Sequence, residues 1–231
     1  MTLSHRTRTV VAALFAIVFS LSAAAQAPAP NTTEWENEAL KLRLFYPSDL
    51  VKGDPTEIMQ DGHLSLFGIS GTTDPKLAQA TKCLRPALLL QLPASGAAQP
   101  PATTATILLA ELDVNCLLAE HESGSTTLLN DMAEIVNKIP GMKSIAQPAT
   151  YTIGWQKVHM AVAQGQPSAS NVAPSQLYTM GLSTNWNSHL LVWYFSSNSI
   201  ETLNRITKTT VRFGRDQAAP LYPLTIGNAT P

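Results

Sequence analysis

Cysteine is scarce in this chain. Cys83 and Cys116 are the only two in 231 residues, which excludes a disulfide-dense miniprotein and a four-cysteine zinc module. Charge is also sparse, at 13% of residues, and 15 basic against 16 acidic side chains leave a formal net charge of −1, no electrostatic footprint for nucleic acid. Neither Gly-x-x-x-x-Gly-Lys nor Gly-x-Gly-x-x-Gly occurs, so the sequence offers no phosphate cradle. The Gly-x-Ser-x-Gly elbow of a serine hydrolase is missing too, because Gly68-Ile69-Ser70-Gly71 and Glu122-Ser123-Gly124 have the wrong spacing. His121-Glu122 opens like a zincin helix, yet Ser125 stands where the second histidine ligand must lie one turn on. There is no internal repeat, and a 45% apolar content fits an ordinary globular chain.

What is present begins with a leader. His5, Arg6 and Arg8 form a basic start, Val10 to Leu21 is almost uninterrupted apolar, and Ala23-Ala24-Ala25 offers small residues to a signal peptidase. Residues 1–25 therefore read as a signal peptide. An uncleaved anchor is the rival, but the uncharged run from Thr9 to Ala25 has 17 residues, the bottom of the spanning range, and ends in alanines. No later stretch is long and apolar enough to span a bilayer, so the expected location is secreted or periplasmic, with no membrane span in the mature chain. Losing Arg6 and Arg8 shifts the balance further toward acid, which weighs against polyanionic partners. Export favours a Cys83–Cys116 bridge, and two buried free thiols are the alternative.

Residues 26–35 contain Pro28 and Pro30 and read as a disordered lead-in, residues 36–215 as one domain, and residues 216–231 as a tail. Leu40, Leu42, Leu44 and Tyr46 alternate with Lys41 and Arg43, the period of a half-buried strand, and residues 63–69 alternate again. Asp74-Pro75 predicts a helix to about Cys83, stopped before Pro86. Leu88 to Leu90 and Thr106 to Val114 read as strands around a proline- and alanine-rich loop. Leu128, Leu129, Met132, Ile135, Val136 and Ile139 form one stripe of period 3.6, with Asn130, Asp131, Glu134, Asn137 and Lys138 on the other side. Ala149 to Ile153, Lys157 to Gln164, Gln176 to Thr184 and His189 to Phe195 read as strands. Turns at Gly154-Trp155 and Asn185-Trp186-Asn187 make two hairpins. Asn198 with Glu201 predicts a capped helix carrying Ile200, Leu203 and Ile206, and Val211-Arg212-Phe213 closes the pattern.

Hairpin-linked strands broken by two helices predict an α+β domain, an antiparallel sheet of about six strands with helices packed on it. The run Phe45-Tyr46-Pro47-Ser48, the helix before Pro140-Gly141-Met142, the Gly154-Trp155 hairpin and the ending from His189 to Phe195, helix, Val211 to Phe213 resemble the PsbP/Mog1-like α/β/α sandwich family and its exported bacterial members. The resemblance spans about Leu40 to Phe213. It implies a non-enzymatic module that binds or helps assemble other proteins. The loop from Pro93 and the cysteine pair have no counterpart in that pattern.

No catalytic residue and no metal or cofactor site emerges from linear motifs. His63, His121, His159 and His189 have no second histidine or cysteine at ligand spacing, and Glu34/Glu36 and Glu120/Glu122 read as solvated pairs. His159 and His189 lie on strands that could be neighbours. Trp193 reads as core, whereas Trp155 and Trp186 fall at turns, where exposed indoles anchor interfaces. The binding candidates are thus Trp155, Trp186, His159 and His189, with Cys83 and Cys116 as a bridge. The expected function is an exported, non-catalytic binding or assembly module with a protein partner. The alternatives are a small exported hydrolase or metalloenzyme whose site is assembled from distant histidines and carboxylates, or a carrier of a small apolar ligand.

Overall fold

A computed structural model describes residues 31–56, 80, 82–94, 103–113, 115–116, 125–166 and 176–227. In chain order these form β1 (Thr32–Asn37), β2 (Leu42–Pro47), β3 (Val51–Gly53), β4 (Leu84–Pro93), β5 (Thr103–Leu112), α1 (Ser125–Glu134), a 3-10 turn (Ile135–Asn137), β6 (Met142–Ile153), β7 (Gln156–Gly165), β8 (Leu177–Trp186), β9 (His189–Ser197), α2 (Ile200–Ile206), β10 (Thr210–Phe213) and β11 (Ala219–Pro220). The strand expected at 63–69 and the body of the helix expected from Pro75 lie outside the described residues.

The strands make two antiparallel sheets, one of four in the order β1-β2-β10-β11 and one of seven in the order β3-β4-β5-β9-β8-β7-β6. This overturns the expected single sheet of about six strands and, with it, the α/β/α sandwich of the PsbP/Mog1-like pattern. The described residues are mostly strand, with two short helices. One face of the large sheet is covered chiefly by a second sheet and not by a helical layer. Leu42, Leu44, Val211 and Phe213 of the small sheet share a core with Leu90, Ile107, Leu109, Met160, Leu182, Trp193 and Phe195 of the large one. Ile200, Leu203 and Ile206 of α2 join the same core.

The opposite face of the large sheet is buried as well. Leu108, Ala110, Ala161, Ala163, Val192 and Tyr194 pack with Met132, Ile135, Val136 and Ile139 from α1 and the turns after it. Both alternations of β9 are therefore inside, which is why Leu190–Phe195 reads as a continuous apolar run and not as a half-buried strand. Each large apolar side chain so buried contributes about 1.5–3 kcal/mol. Where α1 lies on β7 and β8 the sheet is paved with Ala161, Ala163 and Gly181. A Cβ on Gly181 would stand 2.3 Å from the Ala133 carbonyl oxygen, so the helix backbone sits directly on the strand. Tyr194 adds a buried hydroxyl that donates to the Met132 carbonyl at 2.9 Å.

Several boundaries differ from expectation for local reasons. β1 begins at Thr32, before the expected start of the domain, because its backbone ladders with β2 from Thr32 opposite Pro47 onward, and Glu34 and Glu36 both pair with Arg43 across that ladder. The α2 cap is Ser199, not Asn198: the Ser199 Oγ accepts from the Thr202 N–H at 3.1 Å. β6 starts at Met142, ahead of the expected Ala149, with register shifts between Ser144 and Ala149. Beyond residue 215 the chain is packed: β11 pairs with β10, and Leu221, Tyr222 and Ile226 are buried. Asn204 fixes that end by donating to the Ile226 carbonyl at 2.9 Å while its Oδ1 accepts from the Ile226 N–H at 2.7 Å. Cys83 and Cys116 are bridged, with Cα atoms 5.6 Å apart.

Candidate functional site

The meander β6-β7-β8-β9 brings the β6–β7 and β8–β9 turns to one end of the large sheet. Gly154 takes the left-handed conformation at φ +58 and starts the first turn. Trp155 follows it and is 94% exposed, against the usual tendency of an indole to be covered. An open groove of about 700 Å³ lies beside this ring, walled by Gly154, Trp155 and the segment from Arg215 to Pro220.

Trp186 behaves differently. The two-residue turn is Asn187 and Ser188, both at positive φ (49° and 67°), the conformation of a type I′ hairpin. Trp186 is thus the last ladder residue, opposite His189. Its Nε1 donates to the Leu40 carbonyl at 2.8 Å, and its ring centroid lies 5.2 Å from that of Phe213. It ties the end of the large sheet to the small one and leaves the outward role at this end to Trp155.

A second groove, of about 520 Å³, adjoins through Arg215 and is lined by Glu36, Glu38, Lys41, Arg43 and Arg212. Arg43 is held there by Glu34 and Glu36 at 3.3 and 2.7 Å. Arg212 stands opposite Arg43 in the β2–β10 register, with its guanidinium 5.6 Å from the Phe45 ring centroid. A guanidinium over a ring face is attracted by the ring quadrupole. The carboxylates at Glu34 and Glu36 are therefore ion-paired where the sequence pattern had them merely solvated.

The two histidines are not brought together. His159 is on β7 and His189 on β9, with β8 between them, and His159 sits opposite Ser183. Their neighbours in the strand show that they point to opposite faces: Leu191 and Trp193 share His189's alternation on the inter-sheet side, while Ala161 and Ala163 share His159's on the α1 side. His189 Nδ1 lies 2.6 Å from Glu111 Oε1. His159 is 8% exposed, and its Nδ1 is 3.0 Å from Thr150 Oγ1. Burial, with a smaller contribution from Lys157, holds its pKa below the ordinary histidine value.

Sequence reasoning missed one grouping here. His159 lines a pocket of about 150 Å³ with Asn130 and Glu134 of α1 and Thr150 of β6. The i, i+4 spacing of Asn130 and Glu134 places them on one helix face, the side opposite the apolar stripe, where the sequence pattern gives no partner for them. No family model matches the chain, and no curated protein matches it.

Proposed function

We propose that the chain is an exported module that binds or helps assemble other proteins, and that its partner docks at the end of the large sheet marked by Trp155. The observation that carries this reading is Trp155 itself, almost wholly exposed on a tight hairpin beside an open groove. A large aromatic with only two rotatable side-chain bonds loses little conformational entropy on binding, and such residues supply a disproportionate share of interface energy. Export rests on the leader pattern of residues 1–25 and is supported by the Cys83–Cys116 bridge, a feature of oxidising compartments. Among the described residues no helix is long and apolar enough to cross a membrane. A carrier reading finds less support, because Trp193, Phe195 and Phe213 fill the space between the sheets.

The test is a photo-crosslinking amino acid placed at position 155 in the source cell, with the same residue at Lys52, on the opposite edge of the large sheet, as control. The expected result is a discrete crosslinked protein at 155 that is absent at 52. Identical background at both positions refutes the docking surface.

A further inference from the structure

We propose that the pocket between α1 and the β6–β7 hairpin is a binding site for a single divalent first-row metal ion, with the Glu134 carboxylate, His159 Nε2 and the Asn130 amide oxygen as its protein ligands. The inference is independent of the Trp155 surface, which lies at the hairpin tip.

Size is the first argument. A volume of about 150 Å³ corresponds to about five water molecules, enough for an ion with part of its hydration shell and too little for most organic ligands. Side chains lining so small a space can converge on one centre without large movement. Glu134 and Asn130 approach from one face of α1, and His159 approaches from β7.

The donor set is the second. Glu134 has no ion pair among the described residues, where the cations beside acidic groups are otherwise engaged, as Lys138 is with Asp131 at 3.3 Å. His159 Nδ1 is occupied by Thr150 Oγ1 at 3.0 Å, which leaves Nε2 as the nitrogen available to a ligand. When Nδ1 carries the proton and donates it to Thr150, Nε2 presents its lone pair, the arrangement by which an outer hydroxyl or carbonyl orients a metal-bound imidazole. Asn130 Oδ1 is buried and has no hydrogen-bond partner among the described residues. No group of three His, Cys, Asp or Glu side chains gathers among the described residues, so the third ligand is the amide. One imidazole nitrogen with two oxygens suits zinc, nickel or manganese better than magnesium, which prefers oxygen ligands alone.

Rigidity is the third. Gly181 seats the α1 backbone on β8, and the Tyr194 hydroxyl holds the Met132 carbonyl, so the helix that bears two ligands is fixed relative to the strand that bears the other. A site whose ligands are held in place beforehand loses less on binding.

The experiment uses the untagged full chain, stripped with chelator and titrated calorimetrically with zinc, nickel and magnesium, with bound metal measured by elemental analysis after dialysis. The expected result is one equivalent of zinc or nickel and none of magnesium. Glu134→Gln and His159→Gln should each weaken zinc binding at least about tenfold, while His189→Gln, on the opposite face, leaves it unchanged. Glu134→Gln keeps size and shape, and its circular dichroism and melting curve in chelator should match the parent, which separates loss of a ligand from loss of fold. The proposal is overturned if no equivalent binds more tightly than roughly 1 mM, or if zinc binding survives both Glu134→Gln and His159→Gln.

Discussion

The ring of Trp186 lies against Gly214 so closely that a Cβ on that glycine would stand 3.3 Å from two of its ring carbons. Gly214 is also at φ +58, and its N–H donates to the Lys41 carbonyl at 2.9 Å. Together with the Trp186 bond to Leu40, this locks the β1–β2 turn, the β8–β9 turn and the end of β10 into one junction. Gly214→Ala should therefore cost about 1–2 kcal/mol through left-handed strain and crowding. Trp186→Ala should cost about 3 kcal/mol through lost packing and an unanswered carbonyl. Urea midpoints of the two variants check both values.

Gly181 makes the corresponding close approach on the other face of the large sheet. With Ala133 O only 2.3 Å from the place a Cβ would take, Gly181→Ala must push α1 off the sheet and loosen the Tyr194 contact. A destabilisation of about 1–3 kcal/mol is expected. Amide exchange should rise along 132–139 while β4 and β5 remain protected.

The Cys83–Cys116 bridge closes the end of the β4–β5 hairpin at which Leu84 faces Leu112. Its sequence separation of 33 gives a chain-entropy contribution of about 3–4 kcal/mol. The Cys83→Ser, Cys116→Ser double variant should lose that amount in denaturant unfolding. Equal stability with and without the bridge would show that the hairpin is held by the sheet alone.

Parts of this architecture are legible in the residues, and the illegible parts share a cause. β9 declares itself because every residue from Leu190 to Phe195 is apolar, and the inward stripe that runs from Met132 of α1 to Ile139 in the turns after it is readable by period alone. Trp186 was placed correctly near a hairpin, but its turn is Asn187-Ser188, and whether the ring faces outward depends on Leu40 and Phe213, distant in sequence. The second sheet left no local mark: β2 pairs with β10 across most of the chain, and Glu34 and Glu36 disguise β1 as a solvated lead-in. An α+β reading follows naturally when the partner covering a sheet face is another sheet assembled from the two ends of the chain. The pocket at His159 was hidden for the same reason, because the polar side of α1 meets the β6–β7 hairpin, a partner distant in sequence.

The most direct test of the central claim is a paired measurement on Trp155→Ala: its unfolding free energy, and its affinity for the protein captured by crosslinking at position 155. A side chain that is 94% exposed should leave stability within about 0.5 kcal/mol of the parent, while loss of an interface anchor should weaken binding at least about tenfold, or about 1.4 kcal/mol. Unchanged affinity in a fully folded variant would contradict the assignment of this end of the molecule as the docking surface.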